Sequence, residues 1–135
     1  MSARINRAIE LLEQGQPIYY TGAGERSYEG GKKAAGTWAD FIMYDMEAAC
    51  FDIGKIKDQM AMCRGLKIVP MVNVASQDPV MMQLPLDCGA MGLMIPVVET
   101  REQAEKIAAI FSEVIIAPDA DDAAKAVLAK AVGRG

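Results

Sequence analysis

Apolar segments alternate along this chain with helical segments about 9 to 12 residues long, and this rhythm constrains the fold most strongly. The predicted strands are residues 17–21, 39–46, 67–74, 92–98 and 114–117, and the predicted helices are residues 3–14, 27–35, 53–64, 79–87, 101–111 and 121–132. Strands that are apolar throughout and separated by helices are typical of a parallel sheet covered on both faces. The sequence therefore predicts an α/β protein with about five parallel βα units.

Two architectures accommodate this order of elements. One is part of a (β/α)8 barrel, which in complete form needs about 250 residues, and the other is an open doubly wound, flavodoxin-like sheet. The chain has 135 residues, enough for one domain with a real core, so we predict a single α/β domain over residues 1–135. Strand order separates the two: consecutive order indicates barrel-like curvature, whereas an order beginning 2-1-3 indicates the doubly wound sheet.

Composition excludes several classes of function. The formal charge of −4 provides no basic surface for nucleic acid or an anionic membrane, and no apolar run approaches the roughly 20 residues that span a bilayer. The chain contains no histidine, which excludes a histidine general base and histidine-ligated zinc. The three cysteines form no CxxC pair and no secretory signal is evident, so we expect a cytoplasmic protein with reduced thiols.

Two carboxylates follow one another closely at the end of the second predicted strand. Side-chain alternation along a strand would direct Asp45 and Glu47 to the same face, at the edge where α/β proteins build their sites. Together with Glu99 and Asp119, at the ends of the fourth and fifth predicted strands, they could hold Mg²⁺ or Mn²⁺, since hard cations prefer oxygen ligands. The alternative is that these carboxylates are solvated and cap the helices that follow.

A glycine-containing loop follows the first predicted strand. Gly22 and Gly24 could present backbone amides to a phosphate or nucleotide, with Arg26 as the cation placed to meet an anionic ligand. The loop fails as a dinucleotide-binding fingerprint because Ser27 occupies the third glycine position. The alternative is a tight turn that requires glycine dihedral angles.

Three segments together resemble one enzyme family. They are ADFIMYDMEAACFD at residues 39–52, VPMVNV at residues 69–74 and LDCGAMGLMIPVVETREQAEKI at residues 86–107. In order and spacing they resemble the second strand, the third strand, and the following helix, strand and helix of the HpcH/HpaI aldolase/citrate lyase superfamily. Those proteins are metal-dependent pyruvate aldolases on a (β/α)8 barrel. The resemblance covers about residues 5–106 and implies the N-terminal half of such a barrel.

The resemblance implies roles for individual residues. The family's second-strand Asp and Glu correspond to Asp45 and Glu47, and the Asp of the helix before the fourth strand corresponds to Asp87. The family's general-base His falls on Ala48, and the third-strand Arg that binds the enolate oxygen falls on Asn73.

The family's metal ligands belong to strands beyond the fourth. There the segment VIIAPDAD, residues 114–121, is similar to a late family strand ending in Gly-Pro-Ala-Asp. This similarity implies that Asp119 or Asp121 supplies one ligand to a divalent metal. The alternative is a strand followed by Pro and a helix-capping Asp, which is ordinary local chemistry.

These correspondences favour a weakened lyase. Class II aldol chemistry needs a cation to polarise the keto acid, a donor to the enolate oxygen and a base near the carbon. Asn73 could donate a hydrogen bond without charge, and Ala48 cannot move a proton. The resemblance thus implies a degenerate or partial pyruvate aldolase that cleaves 4-hydroxy-2-oxo acids and binds a pyruvate-like 2-oxo acid.

Two other functions stay open. One is a non-catalytic half-barrel that pairs its apolar strand edges with a second copy, so we expect a homo-oligomer. The other is a phosphate- or nucleotide-binding module that uses the glycine loop. The aromatic residues Tyr19, Tyr20, Trp38 and Tyr44 are predicted to pack in the core or between its layers.

Overall fold

The described part of the computed structural model comprises residues 6–22, 24–25, 27–49, 52–63 and 67–110. The chain divides into two compact units, Met1–Pro96 and Val97–Gly135. The first unit contains α1 (Arg7–Glu13), β1 (Tyr20–Gly22), α2 (Tyr28–Ala35), β2 (Phe41–Asp45), α3 (Ile53–Cys63), β3 (Val69–Asn73), α4 (Pro79–Cys88) and β4 (Gly92–Met94), and the second contains α5 (Arg101–Ile110). None of the described helices is long and apolar enough to cross a membrane.

The four strands form one parallel sheet in the order β1-β2-β3-β4. Consecutive order with right-handed crossovers places the connecting helices on one face, as in a (β/α)8 barrel. In agreement, α3 contacts α2, α4 and β3. The barrel-like α/β prediction is therefore confirmed, and the doubly wound alternative is wrong because β1 does not lie between β2 and β3. The described strands do not close into a barrel.

The predicted fifth strand, residues 114–117, and the predicted last helix, residues 121–132, lie outside the described residues. The prediction of a single domain stays a prediction.

One face of the sheet packs against α1. Phe41 and Val69 are neighbours in register and form a buried cluster with Ala8 of α1. The partly buried side chains packed against this cluster are Ile18, Met43, Met71 and Met91. Gly92 lies beside Met71, and a Cβ at position 92 would come within 3.0 Å of Met71 Cε. The glycine thus leaves room for a core methionine.

In β2 and β3, the residues that alternate with those of this cluster point to the opposite face of the sheet, where their side chains are fully buried. Ile42, Tyr44 and Val72 are inaccessible to solvent. The Tyr44 hydroxyl lies 4.0 Å from Cys63 Sγ of α3, at the limit of a weak hydrogen bond. Burial raises the pKa of the Tyr44 phenol well above its ordinary value and also raises the pKa of the Cys63 thiol, so both groups are neutral at pH 7.

Three of the four aromatic residues predicted in the core are exposed instead. Trp38 is 74% exposed and makes an edge-to-face contact with Tyr19, which is 55% exposed. Tyr20 is also exposed and stacks on Phe41. The prediction was wrong because β1 is a short strand at the sheet edge and Trp38 lies before β2 begins. Only Tyr44 occupies the predicted core.

Capping residues explain where the helices begin and end. The side-chain oxygens of Asn6, Ser27 and Asp78 accept backbone N–H groups in the first turns of α1, α2 and α4. Asn6 has an extended backbone, so α1 begins at Arg7 rather than at the predicted residue 3. Gly89, with a φ of 116°, ends α4 in the left-handed conformation that glycine adopts without strain.

Val97 carries backbone strain in the second unit. Its φ of 55° lies in the left-handed region, which costs a residue with a Cβ about 1–2 kcal/mol. Val97→Gly removes that strain, which stabilises the folded chain. Glycine also increases the entropy of the unfolded chain, and this lowers the free energy of unfolding by about 0.5–1 kcal/mol. We expect the variant to raise the free energy of unfolding in urea by about 0.5–1 kcal/mol.

Val98→Gly is the matched control, because Val97 is the only non-glycine residue with positive φ in the described part of the chain. The control should lower the free energy of unfolding by about 0.5–1 kcal/mol. Equal destabilisation by the two glycine substitutions would contradict the assignment of strain to Val97.

Candidate functional site

Three polar side chains meet at the carboxyl ends of the central strands. Asp45 and Asn73 are the last residues of β2 and β3 and are partners in register. Asn73 Nδ2 donates hydrogen bonds to Asp45 Oδ1 at 3.1 Å and to Glu47 Oε2 at 3.0 Å. Asp45, Glu47 and Asn73, hereafter the acid–amide cluster, lie at the edge where parallel α/β proteins place functional groups.

Asp45 also shapes the turn that carries Glu47. Its Oδ1 accepts the backbone N–H groups of Glu47 at 2.9 Å and Ala48 at 3.0 Å, as in an Asx turn. The N–H of Met46 donates to the Asn73 carbonyl at 2.8 Å. Because β2 ends at Asp45, this turn rather than strand alternation brings Glu47 to Asn73. The predicted proximity of the two carboxylates is therefore present, for a different physical reason.

Only one of the two polar atoms of the Asn73 amide has hydrogen-bond partners among the described residues. The residue is 9% exposed, and its Nδ2 hydrogens are directed at two carboxylates. Its Oδ1 is buried and has no hydrogen-bond partner among the described residues. Such an unsatisfied carbonyl costs about 1–3 kcal/mol. If the amide were rotated by half a turn, Oδ1 would face two carboxylate oxygens. Repulsion between these oxygens therefore favours the observed orientation of the amide.

The cluster contains neither a strong base nor a cation. Ala48, where the resemblance implies a histidine in the family, is exposed and offers only a methyl group and its backbone N–H. Among the described residues, no Lys or Arg forms an ion pair with Asp45 or Glu47. Both Nδ2 hydrogens of Asn73 are already donated, so its predicted hydrogen bond to an enolate oxygen requires rearrangement. That role stays a prediction.

Asp87 lies apart from these contacts in the described structure. It is exposed near the end of α4, and its Oδ1 accepts a hydrogen bond from Gln83 Nε2 at 2.8 Å. No hydrogen bond within the described residues joins it to the acid–amide cluster. Its catalytic role stays a prediction.

Two of the predicted metal ligands, Glu99 and Asp119, lie in the second unit or outside the described residues. Glu99 is exposed in the second unit, where its backbone N–H donates to Gln103 Oε1 at 2.8 Å before α5. Asp119 and Asp121 lie outside the described residues. Within the described ranges, no group of three or more His, Cys, Asp or Glu side chains could hold a metal ion. The predicted metal ligands therefore stay a prediction.

The described residues of the glycine loop are Gly22, Gly24, Glu25 and Ser27. Gly22 ends β1, and Gly24 has a φ of 55°. Ser27 Oγ accepts the N–H of Gly30 and donates to Glu25 Oε1 at 3.0 Å, so a carboxylate lies beside the first turn of α2. The requirement for a left-handed residue accounts for Gly24 without a ligand. Arg26 lies outside the described residues, and phosphate binding by this loop stays a prediction.

Comparison with known proteins identifies relatives of this amino-acid sequence. The sequence model of the HpcH/HpaI aldolase/citrate lyase family matches residues 27–127. A 5-keto-4-deoxy-D-glucarate aldolase of Escherichia coli O139:H28 is 36% identical over 70 residues, which cover 52% of this chain and 27% of that protein. The protein of the same name from Escherichia coli O157:H7 gives the same values.

Solved structures share the fold. An HpcH/HpaI aldolase/citrate lyase family protein from Burkholderia cenocepacia J2315 superimposes with a TM-score of 0.69 at 26% identity, covering 78% of this chain and 42% of that one. The citrate synthase SbnG superimposes with a TM-score of 0.66 at 19% identity, covering 95% of this chain and 52% of that one. This chain therefore spans about half of each solved structure and about a quarter of the curated relatives that it matches.

Proposed function

The chain belongs to the HpcH/HpaI aldolase/citrate lyase family, and from that membership we propose that it is a weakened carbon–carbon lyase of the class II pyruvate aldolase type. Its substrates would be 4-hydroxy-2-oxo acids, cleaved to a pyruvate-like 2-oxo acid and an aldehyde. The observation that carries this proposal is the acid–amide cluster at the carboxyl ends of β2 and β3.

The described residues support distinct roles within the cluster. Asp45 Oδ1 accepts three hydrogen bonds, so this carboxylate holds the turn and orients Asn73. Glu47 is exposed, and its Oε1 has no hydrogen-bond partner among the described residues, so Glu47 is the carboxylate available to accept a proton. Aldolases of this family typically use a divalent cation, which polarises the 2-oxo acid when bound.

Weak activity follows from what the cluster lacks. A positioned general base contributes about 10²–10⁴-fold to rate, and one oxyanion donor about 10²–10³-fold. Ala48 and Asn73 replace the residues that supply these effects in the family.

The test is release of the 2-oxo acid from 5-keto-4-deoxy-D-glucarate, the substrate named for the E. coli relatives, with oxidation of NADH by lactate dehydrogenase as the readout. Reactions contain Mn²⁺ or Mg²⁺, with EDTA as the metal-free control. Glu47→Gln should lower kcat/KM at least about 10-fold. Asp58→Asn, which neutralises an exposed carboxylate on α3, should leave it unchanged. Absence of turnover with this and other 4-hydroxy-2-oxo acids would overturn the proposal.

A second candidate function is assembly with another copy of the chain. Among the described strands, β1 is hydrogen-bonded on one side only, and its Tyr20 is 59% exposed. An open strand edge beside exposed aromatic groups favours association. The four described strands form an open sheet, so a second copy could extend it at β1.

Sedimentation velocity over a range of concentrations tests this assembly. We expect a concentration-dependent dimer, and we expect Tyr20→Lys to weaken it at least about 10-fold because a charge on an edge strand opposes pairing. Val80→Lys is the matched control, since Val80 is also an exposed apolar residue but lies on α4. A monomer at all concentrations, or equal weakening by both variants, would exclude assembly through β1.

A further inference from the structure

The face of the sheet that packs against α1 carries three successive rows of residues. Residues in register on neighbouring parallel strands share a face, and so do residues two apart on one strand. α1 contacts the first row through Ala8. The second row therefore lies between α1 and the acid–amide cluster. From the amino to the carboxyl ends, the rows are Phe41 and Val69, then Met43, Met71 and Gly92, and then Asp45, Asn73 and Met94.

Met94 borders the acid–amide cluster on the side of β4. It is the register partner of Asn73, and its carbonyl accepts the N–H of Val74 at 3.1 Å, which holds its backbone beside the end of β3. Neighbouring strands are about 4.8 Å apart, a distance that a methionine side chain can span. The residue is 51% exposed. Its thioether therefore offers apolar surface to a molecule bound at the cluster.

Met71 adds to this apolar surface on the side towards α1. A Cβ at position 92 would lie 3.0 Å from Met71 Cε and 3.1 Å from Met71 Cγ, so the Met71 side chain leans across Gly92. Gly92 comes two residues before Met94 on β4, and Met71 comes two residues before Asn73 on β3. Met71 and Met94, hereafter the methionine surface, thus share one face beside Asn73. Methionine is flexible and polarisable, so it adapts to apolar groups of different shape.

We propose that the methionine surface binds the carbon chain beyond the 4-hydroxyl group of the substrate and selects an uncharged aliphatic chain. This inference rests on the proposed lyase function. Cleavage breaks the bond between carbons 3 and 4. The 4-hydroxyl group loses its proton as the aldehyde forms, and carbon 3 gains a proton as the 2-oxo acid forms. With carbon 4 at the acid–amide cluster, the chain that becomes the aldehyde extends over Met94.

Charge at the cluster opposes a second carboxylate on the substrate. Asp45 and Glu47 bring two carboxylates, and no described Lys or Arg forms an ion pair with either. The 2-oxo acid brings a third, so a carboxylate at the far end of the chain would be repelled. An aliphatic chain avoids this repulsion and removes apolar area from water. The site thus favours aliphatic 4-hydroxy-2-oxo acids over dicarboxylic ones.

The first measurement compares kcat/KM for 4-hydroxy-2-oxooctanoate and 5-keto-4-deoxy-D-glucarate in the lactate dehydrogenase-coupled assay. The aliphatic acid should be preferred at least about 10-fold, since each fully buried methylene contributes about 4-fold. Met94→Arg should lower this preference at least about 10-fold, whereas Met94→Leu should keep it. Leu84→Arg is the matched control, because it adds the same charge to a partly exposed apolar residue of α4 and should leave the preference unchanged.

The second measurement does not require turnover. The acid 2-oxooctanoate lacks the 4-hydroxyl group and cannot be cleaved, and 2-oxoglutarate is its dicarboxylic counterpart. Each is titrated into the chain labelled with ¹³C at the methionine methyl groups. The aliphatic acid should bind at least about 10-fold more tightly and should shift the methyl resonances of Met71 and Met94. Met94→Arg should abolish this difference in affinity, and Leu84→Arg should retain it.

The two measurements separate the methionine surface from the lyase activity. Equal affinity for the two uncleavable acids, shifts confined to other methionines, or turnover that favours the dicarboxylic substrate would overturn the proposal. Tighter binding of 2-oxooctanoate with shifts at Met71 and Met94, in a chain that cleaves neither substrate, would support the methionine surface and contradict the lyase proposal alone.

Discussion

Combining Ala48→His with Asn73→Arg is expected to raise kcat/KM for cleavage of a 4-hydroxy-2-oxo acid at least about 100-fold. Histidine at position 48 supplies a base that titrates near neutral pH, next to the turn held by Asp45. Arginine at position 73 brings a charged, forked donor to the point where the neutral amide now contacts two carboxylates. The measurement is the lactate dehydrogenase-coupled assay with Mn²⁺, with each single variant run beside the pair.

The matched control places histidine one residue further along the same exposed turn. Ala49→His combined with Asn73→Arg adds the same groups but moves the imidazole away from the position of the family's base. The increase in kcat/KM of this control should be less than about a tenth of the increase in the Ala48→His/Asn73→Arg chain. If the Ala48→His/Asn73→Arg chain keeps the native circular dichroism and unfolding midpoint but gains no activity, the assignment of these two positions is wrong.

Tyr44→Ala is expected to lower the free energy of unfolding by about 3–5 kcal/mol, the range for truncating a large buried aromatic side chain. The Tyr44 ring is inaccessible to solvent near the carboxyl end of β2, on the face that meets α3. Its removal leaves a cavity that the flanking Ile42 and Val72 are too short to fill. Because small domains have about 5–15 kcal/mol of stability in total, urea titration should show a large fall in the midpoint.

Two controls separate the buried ring from its hydroxyl and from exposed aromatic residues. Tyr44→Phe removes only a hydroxyl whose described partner is Cys63 Sγ at 4.0 Å, so its cost should not exceed about 1 kcal/mol. Tyr19→Ala removes a side chain that is 55% exposed and should cost less than Tyr44→Ala by at least about 2 kcal/mol. Equal costs for Tyr19→Ala and Tyr44→Ala would contradict the central position of Tyr44.

Much of the fold could be predicted from local sequence, because the signals for strands and helices are local. Alternating apolar segments located all four described strands, and the predicted helices overlap the five described ones. The errors arose where exposure depends on position in the sheet. The sequence predicted core positions for Trp38 and Tyr20. Tyr20 instead lies in the edge strand β1 and Trp38 precedes β2, so both side chains are exposed.

The candidate site was predictable only in part. Strand alternation predicted that Asp45 and Glu47 would lie close together, and family resemblance pointed to Asn73. Neither signal revealed that one amide joins both carboxylates or that its oxygen lacks a described partner. A usable signal was present, since Asn73 is the only polar residue of β3 and ends that strand as Asp45 ends β2. Comparison of the last residues of neighbouring parallel strands would have predicted that Asp45 and Asn73 lie side by side.

By itself the sequence determined the α/β class, the family and the absence of histidine chemistry, because periodicity, motifs and composition can all be read along the chain. Tertiary structure alone decided the order of the strands and the acid–amide cluster. The hydrogen bonds of that cluster join residues 26 and 28 positions apart, and their formation depends on the parallel register of β2 with β3 and on the turn after Asp45. Register and turn geometry arise from packing between elements, which no local pattern specifies.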